Sequence, residues 1–402
     1  MIKIALVHDY LKEYGGAELV FETLTDLFPD AEIFTSLYYP SSFGPHRARL
    51  EKKWSGRIHQ SFFRYLPFAS KLLSPLRFLS PLAFRLFDFQ TFDLVVTSAT
   101  GAFFPNSLNK KSAKLICYCH TPPRYLYHLA TARDMSKYPL LNLPLQIIFH
   151  FYRLLDFKYA QNVDQFIANS ATTAARIQKF YRRDSLIINP PVDLPKDTAK
   201  SAIFGAQSSE GRAERSEVRL WRKHFKMVCE QSYYLTGGRL ARAKRYDIAI
   251  QACNKLHLPL KIFGRDFAGF ESELRAIAGP TIEFLGEVTQ EQKNKLYQQA
   301  KAFIFCSDNE DFGIVPIEAM AHGCPVIGHN SGGTAETVID GKTGVLFDDL
   351  TPESCITAIK KLNRHCEKLG DEAISEFCIT QAQNFSKAKF IEKITKLITT
   401  FS

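Results

Sequence analysis

Apolar runs of four to six residues, each closed by glycine or a polar turn, recur along this chain, and most are followed by an amphipathic stretch. They lie at residues 3–7, 31–36, 94–98, 114–119 and 165–169, and again at 233–236, 260–263, 282–285, 302–306 and 325–328. Runs this short, rich in Val, Ile and Phe and without strict polar alternation, fit strands covered on both faces. Helix-length segments follow several of them, most clearly at 17–28, 246–256, 291–300 and 315–322. Strand and helix in alternation make a parallel sheet wrapped by helices, so the rhythm predicts an α/β chain.

The rhythm also stops and restarts. Asn189-Pro190-Pro191-Val192-Asp193-Leu194-Pro195 cannot continue a helix, and residues 196–231 turn to Ser, Ala, Gly and charge, with 8 basic and 5 acidic side chains. The expectation is two doubly wound Rossmann-like domains facing across a cleft. They are residues 1–195 and 232–385, with 196–231 as a linker carrying an insertion. Ser386 is a candidate cap for a last helix at 387–399, in a C-terminal piece, 386–402, that can return to the first domain. A length of 402 residues suffices for two such cores.

Composition limits the function. The chain is 46% apolar and 23% charged, which excludes a largely disordered protein. Its net charge of +10 leaves three acidic partners open: nucleic acid, an anionic membrane surface or a phosphorylated substrate. No run of apolar residues is long enough to span a bilayer, and Met1–Tyr10 does not resemble a signal peptide. Nine cysteines without a C-x-x-C fit a reducing compartment, so the expected location is the cytoplasm; Cys117 and Cys119 fit one buried strand face.

The densest chemistry lies in Ser307-Asp-Asn-Glu-Asp-Phe-Gly-Ile-Val-Pro-Ile-Glu-Ala-Met320, which leaves a strand and opens a helix. Glu310 falls in the loop at the strand's carboxyl end and Glu318 on the first helical turns behind Pro316. Loops at carboxyl ends are where open α/β sheets bind ligands, and two carboxylates at different depths can accept from two polyols. Gly332 and Gly333 precede a helix and can expose amides to phosphate. Gly238-Arg239-Leu240-Ala241-Arg242-Ala243-Lys244 sets two cations, Arg239 and Lys244, in a loop after a strand, where they can neutralise a diphosphate. Phosphate charge, amide donors and polyol acceptors together describe a nucleotide-diphospho-sugar site.

These residues, with Gly15-Gly16-Ala17-Glu18, His120-Thr121-Pro122-Pro123-Arg124 and Gly323-x-Pro325, resemble the retaining glycosyltransferase family 4 with its GT-B fold. The resemblance implies that Arg239 and Lys244 hold the donor diphosphate and that Glu310 meets sugar hydroxyls and Glu318 the ribose. It implies a donor site that also includes Gly15, Gly16, Gly238, Phe312, Gly313, Ile314, Val315, Gly332 and Gly333, with His120 facing the sugar and Arg124 touching an acceptor phosphate. It implies retention at the anomeric carbon, no cofactor and no metal, in keeping with the lack of a D-x-D. The donor leans to GDP-mannose and the acceptor to a glycan or polyprenyl-diphosphate-linked glycan of surface polysaccharide.

Residues 57–89 carry five cations, Arg57, Arg64, Lys71, Arg77 and Arg85, against Asp88, interleaved with eight aromatics. Such a pattern suits an interfacial segment on an anionic leaflet, with Arg64, Lys71 and Arg77 as candidates, and equally suits ordinary helix packing. It would place the protein on the inner face of the plasma membrane. A nucleotide-sugar epimerase on the same architecture is the enzyme rival, and the charge alone motivates a nucleic-acid binder, which the ordered motifs do not support.

Overall fold

The computed structural model describes residues 2–129, 139–195, 233–267 and 269–401. The expected linker at 196–231 lies outside the described residues. The described residues up to 191, with 387–401, form one compact unit, and those of 192–386 form the other.

The first unit is built on seven strands: β1 (Ile4–His8), β2 (Glu32–Thr35), β3 (Ile58–Gln60), β4 (Leu94–Ala99), β5 (Lys114–Cys119), β6 (Gln165–Ala168) and β7 (Ser185–Ile187). All pair in parallel, in the order β3-β2-β1-β4-β5-β6-β7. The inner strands β4 and β5 are almost wholly buried, which is why their sequences run apolar without alternation. Cys117 and Cys119 sit in one core cluster with Ala5, Val7, Val95 and Phe166. On the opposite face, Phe390, Ile394 and Leu397 of the last helix, Lys387–Thr399, are buried with Leu6, Val20 and Ile33, and Lys387 reaches Asp26 at 2.9 Å.

The second unit repeats the plan with six strands: β8 (Tyr233–Gly237), β9 (Leu260–Phe263), β10 (Ile282–Gly286), β11 (Ala300–Phe305), β12 (Val326–His329) and β13 (Gly344–Phe347). Their order is β10-β9-β8-β11-β12-β13, again parallel throughout. In each sheet the order reverses beside the first strand, between β1 and β4 and between β8 and β11. Crevices at such switch points are where open sheets take ligands.

The elements absent from the sequence expectation are the edge strands β3, β7 and β13 and several helices. β3 and β7 have three residues each and are half or fully exposed, so neither apolar content nor periodicity marks them. Residues 140–155 belong to the long helix Pro139–Gln161, with Pro144 inside its first turns. Among the described residues, no helix is long and apolar enough to cross a membrane.

Candidate active site

In the second unit the loops leaving β8 and β11 meet. The amide of Asp308 donates to the Ala243 carbonyl at 3.1 Å, and Lys244 forms an ion pair with Glu310. Ser307 Oγ donates to Glu310 Oε2 at 2.6 Å, so that oxygen receives both a hydroxyl and an ammonium. Both partners are mostly shielded, with side-chain exposures of 26% and 17%, so the pair feels less solvent screening than a surface pair. The four-cation loop divides by partner. Arg242 is tied to Glu273 and Arg245 to Asp247, while Arg239 lies exposed with its guanidinium 5.5 Å from the Phe267 ring centre. Tyr246 stands behind this loop, its hydroxyl 3.3 Å from the Arg239 carbonyl. Burial and then the nearby Glu310 charge push its phenol up, so it remains a neutral donor.

Gly238, at φ +124°, leaves β8 where a Cβ would stand 3.4 Å from the Tyr246 hydroxyl and 3.8 Å from Val315. Gly313, at φ +83°, turns the chain into the helix Ile314–Ala321, on which Ile314 and Val315 are half-buried, while Phe312 is buried in the core. Glu318 on that helix accepts from Lys293 Nζ at 2.9 Å and from the Tyr297 hydroxyl at 3.2 Å. Neither partner is marked in the residue pattern, because the helix Gln290–Gln299 reads as an ordinary polar surface helix.

The glycine pair has a different first duty from the one its sequence suggests. A Cβ on Gly332 would lie 2.2 Å from the Glu310 carbonyl oxygen, and one on Gly333 2.2 Å from Phe312 Cα. The Gly333 amide donates to the Glu310 carbonyl at 2.8 Å and is therefore occupied by the loop. The pair lets the short helix Gly332–Thr337 press against the loop that carries Glu310.

In the first unit, Gly15 and Gly16 are exposed at the start of the helix Gly16–Leu27, and the Gly15 amide donates to Glu18 Oε2 at 2.9 Å. His120 follows β5 and is buried. Its Nε2 lies 2.9 Å from Ser98 Oγ, and that hydroxyl lies 3.0 Å from His8 Nδ1. Burial, with some repulsion from His8, pushes the His120 imidazole down to about 3, so the ring is neutral at physiological pH. Asp9 Oδ2 gathers the amides of Thr100, Ala102 and Phe103 at 3.1–3.2 Å and the Thr100 hydroxyl at 2.6 Å. That turn includes Gly101, where a Cβ would stand 2.6 Å from the Thr121 carbonyl. His8, Asp9 and Ser98 thus seat the His120 loop, though each reads from sequence as an ordinary strand end.

Arg124 is half-buried, and its carbonyl accepts from Leu129 at 3.1 Å. The cations of residues 57–89 separate into inward and outward groups. Arg57 holds the carbonyls around Phe28–Ala31, and Arg85 covers the Tyr159 ring. Arg77 does not face outward as the segment's pattern suggests: it lies 4.3 Å from the Tyr125 ring centre, its Nε buried. Stacking on a ring lets a guanidinium be covered with little loss. Arg64 and Lys71 remain exposed, beside Tyr65 and Phe68.

Two family descriptions match the chain, "Glycosyltransferase Family 4" over residues 14–196 and "Glycosyl transferases group 1" over 219–374. The chain thus carries a glycosyltransferase family 4 domain followed by a glycosyl transferases group 1 domain. The second match begins inside the stretch 196–231 that composition sets apart. The alpha-1,3/1,6-mannosyltransferase alg2 of Schizosaccharomyces pombe is 25% identical over 86% of this chain and 70% of its own length. The human alpha-1,3/1,6-mannosyltransferase ALG2 is 26% identical over 77% of this chain and 74% of its own. The crystal structure of Anabaena HepE in complex with UDP-glucose matches with a TM-score of 0.67 at 17% identity, covering all of both chains. That likeness is one of fold, and the fold is GT-B.

Proposed function

We propose that this glycosyltransferase moves a hexose, with mannose from GDP-mannose as the first candidate, from a nucleotide-diphospho-sugar to a glycan or polyprenyl-diphosphate-linked acceptor in surface-polysaccharide assembly. The observation that carries this reading is the meeting of Lys244, Glu310 and Ser307 at the β8/β11 switch point, with Arg239 exposed on the same loop. A diphosphate arriving there offers Lys244 a second anion and lies within the reach of Arg239 on the same loop. Both cations then stabilise the leaving nucleoside diphosphate as negative charge grows on it, without a metal. Glu310, relieved of part of its pairing, accepts from sugar hydroxyls, and Glu318, braced by Lys293 and Tyr297, accepts from the ribose. Mannose rests on the names of the relatives. Retention rests on the family resemblance and is read from the anomeric configuration of the product.

A membrane-linked acceptor suits the surface of the first unit. Tyr65 and Phe68 are each 71% exposed beside Arg64 and Lys71, and Leu72, Leu82 and Leu86 are exposed near them. On the helix Pro139–Gln161, Ile147, Phe151 and Leu154 are exposed at four- and three-residue spacing, hence on one face. Phe78 joins segment and helix, accepting from the Tyr152 hydroxyl at 2.6 Å. Apolar side chains flanked by cations fit a peripheral site on an anionic leaflet.

The test is transfer from a panel of nucleotide sugars to a lipid-diphosphate acceptor, with wild type and Glu310→Gln compared. The expected result is one preferred donor and a loss of about 100-fold or more in the variant. Equal rates in the two proteins would overturn the site assignment, and donor turnover without acceptor would favour the epimerase.

A further inference from the structure

Four buried groups in the first unit stand in a line. Glu18 Oε2 accepts from the Gly15 amide at 2.9 Å, and its other oxygen, Oε1, lies 3.5 Å from His8 Nε2, a charge contact that falls outside hydrogen-bond geometry. His8 Nδ1 reaches Ser98 Oγ at 3.0 Å, and Ser98 Oγ reaches His120 Nε2 at 2.9 Å. His8 and Ser98 are wholly buried and Glu18 nearly so. The Phe21 ring, 4.7 Å from the imidazole of His8, closes the line on that side.

A line of this kind has a direction. A carboxylate oxygen only accepts, a hydroxyl has one proton to give, and a one-proton imidazole donates from one nitrogen and accepts at the other. The Glu18 carboxylate beside Nε2 favours a proton there over a lone pair, so His8 carries its proton on Nε2 and accepts at Nδ1. Ser98 then gives its proton to His8 and accepts from His120 Nε2. This leaves His120 with its proton on Nε2 and its lone pair on Nδ1.

We propose that Glu18, acting through His8 and Ser98, fixes His120 as the Nε2–H tautomer, so that Nδ1 accepts a hydrogen bond from a substrate hydroxyl while the same carboxylate holds the Gly15 turn. Glu18, His8 and Ser98 are positioning residues, and the step at the substrate rests on the reading of His120 as facing the sugar. The burial that keeps His120 neutral makes the choice of tautomer consequential, because only a neutral ring has one. With the opposite tautomer the ring would offer a donor to the sugar and could not accept from its hydroxyl.

The prediction is sharp because the line can be reversed. In Glu18→Gln the amide oxygen can keep the Gly15 contact while the amide nitrogen donates to His8 Nε2. His8 then donates to Ser98, Ser98 to His120 Nε2, and His120 must carry its proton on Nδ1.

The experiment is long-range proton–nitrogen correlation NMR on the full chain with labelled histidine, the His120 signals being assigned from His120→Gln. The expected result is Nε2–H in the wild type, Nδ1–H in Glu18→Gln, and a mixture in Ser98→Ala that Ser98→Thr restores. Transfer assays on the same samples should show kcat about tenfold lower in Glu18→Gln and Ser98→Ala, with donor KM little changed and recovery in Ser98→Thr. Nδ1–H in the wild type, or an unchanged tautomer in both variants, overturns the proposal whatever the activity. Coupled tautomers with unchanged kcat would instead overturn the role of His120 at the sugar.

Discussion

Gly333→Ala tests whether the glycine pair serves the Glu310 loop. The added Cβ would stand 2.2 Å from Phe312 Cα and 2.3 Å from the Phe312 carbonyl oxygen, where ordinary contact begins near 3.4 Å. The difference, 3.4 − 2.2, is about 1 Å, and both neighbours are backbone that cannot rotate away. Helix and loop must therefore separate, stretching the 2.8 Å bond from the Gly333 amide to the Glu310 carbonyl. Overpacking of this kind costs about 1–3 kcal/mol and a weakened backbone hydrogen bond about 1 more, so the second domain should lose roughly 2–4 kcal/mol. The functional effect is larger, since a shift of about 1 Å in a positioning group can cost on the order of 100-fold in rate. Gly370→Ala is the control: its φ and ψ of +84° and 144° lie where glycine alone is at ease, but nothing lies within 4 Å of the new Cβ, so it bears only a backbone strain of about 1–3 kcal/mol and keeps its transfer rate. Urea unfolding and initial transfer rates on the two variants give the answer. Wild-type transfer in Gly333→Ala, or an equal loss in Gly370→Ala, would refute the steric argument.

Two further predictions use the first unit. Asp156, buried, has its carboxyl pushed up to about 7 by desolvation against hydrogen bonds from Tyr127 and Tyr181, so between about pH 4 and 7 the folded chain keeps a proton that the unfolded chain has lost, and stability falls as pH rises. His120, pushed down to about 3, gives the opposite slope from about pH 3 to 6.5. The stability difference between Asp156→Asn and wild type should therefore grow with pH by up to about 4 kcal/mol across pH 4–7, and parallel profiles by urea unfolding would refute the buried acid. For the membrane surface, Phe68→Asp and Phe151→Asp should each reduce flotation with anionic vesicles at least several-fold at unchanged stability, and the wild type should bind more weakly as salt rises. Absence of vesicle binding by the wild type at low salt would remove the lipid reading.

Much of the fold was legible in the residues. The buried inner strands β1, β4, β5, β8, β9 and β11 stand within about two residues of where their apolar runs place them. The helices Tyr246–Leu256 and Lys387–Thr399 have the limits their patterns give. What escaped were the edge strands β3 and β7, too short and too exposed to carry a pattern, the short buried β13, and side chains whose duty depends on a distant partner. Arg77 is one: its spacing among aromatics looks outward, yet Tyr125 covers it. His8, Ser98 and Lys293 are others, unremarkable until β4, β5 or a neighbouring helix is set beside them.

The sequence by itself determined two runs of strand and helix, the parallel character of each sheet and the loops that bear Arg239, Lys244, Glu310 and Glu318. Periodicity, glycine and proline act over a few residues, and those features are written at that range. Only the tertiary structure decided that Lys244 rather than Arg242 pairs with Glu310 across 66 positions, that Gly332 and Gly333 make room for a loop, and that the last helix completes the first core. Those outcomes depend on which groups are brought together and shut away from water, and chain spacing holds no record of that.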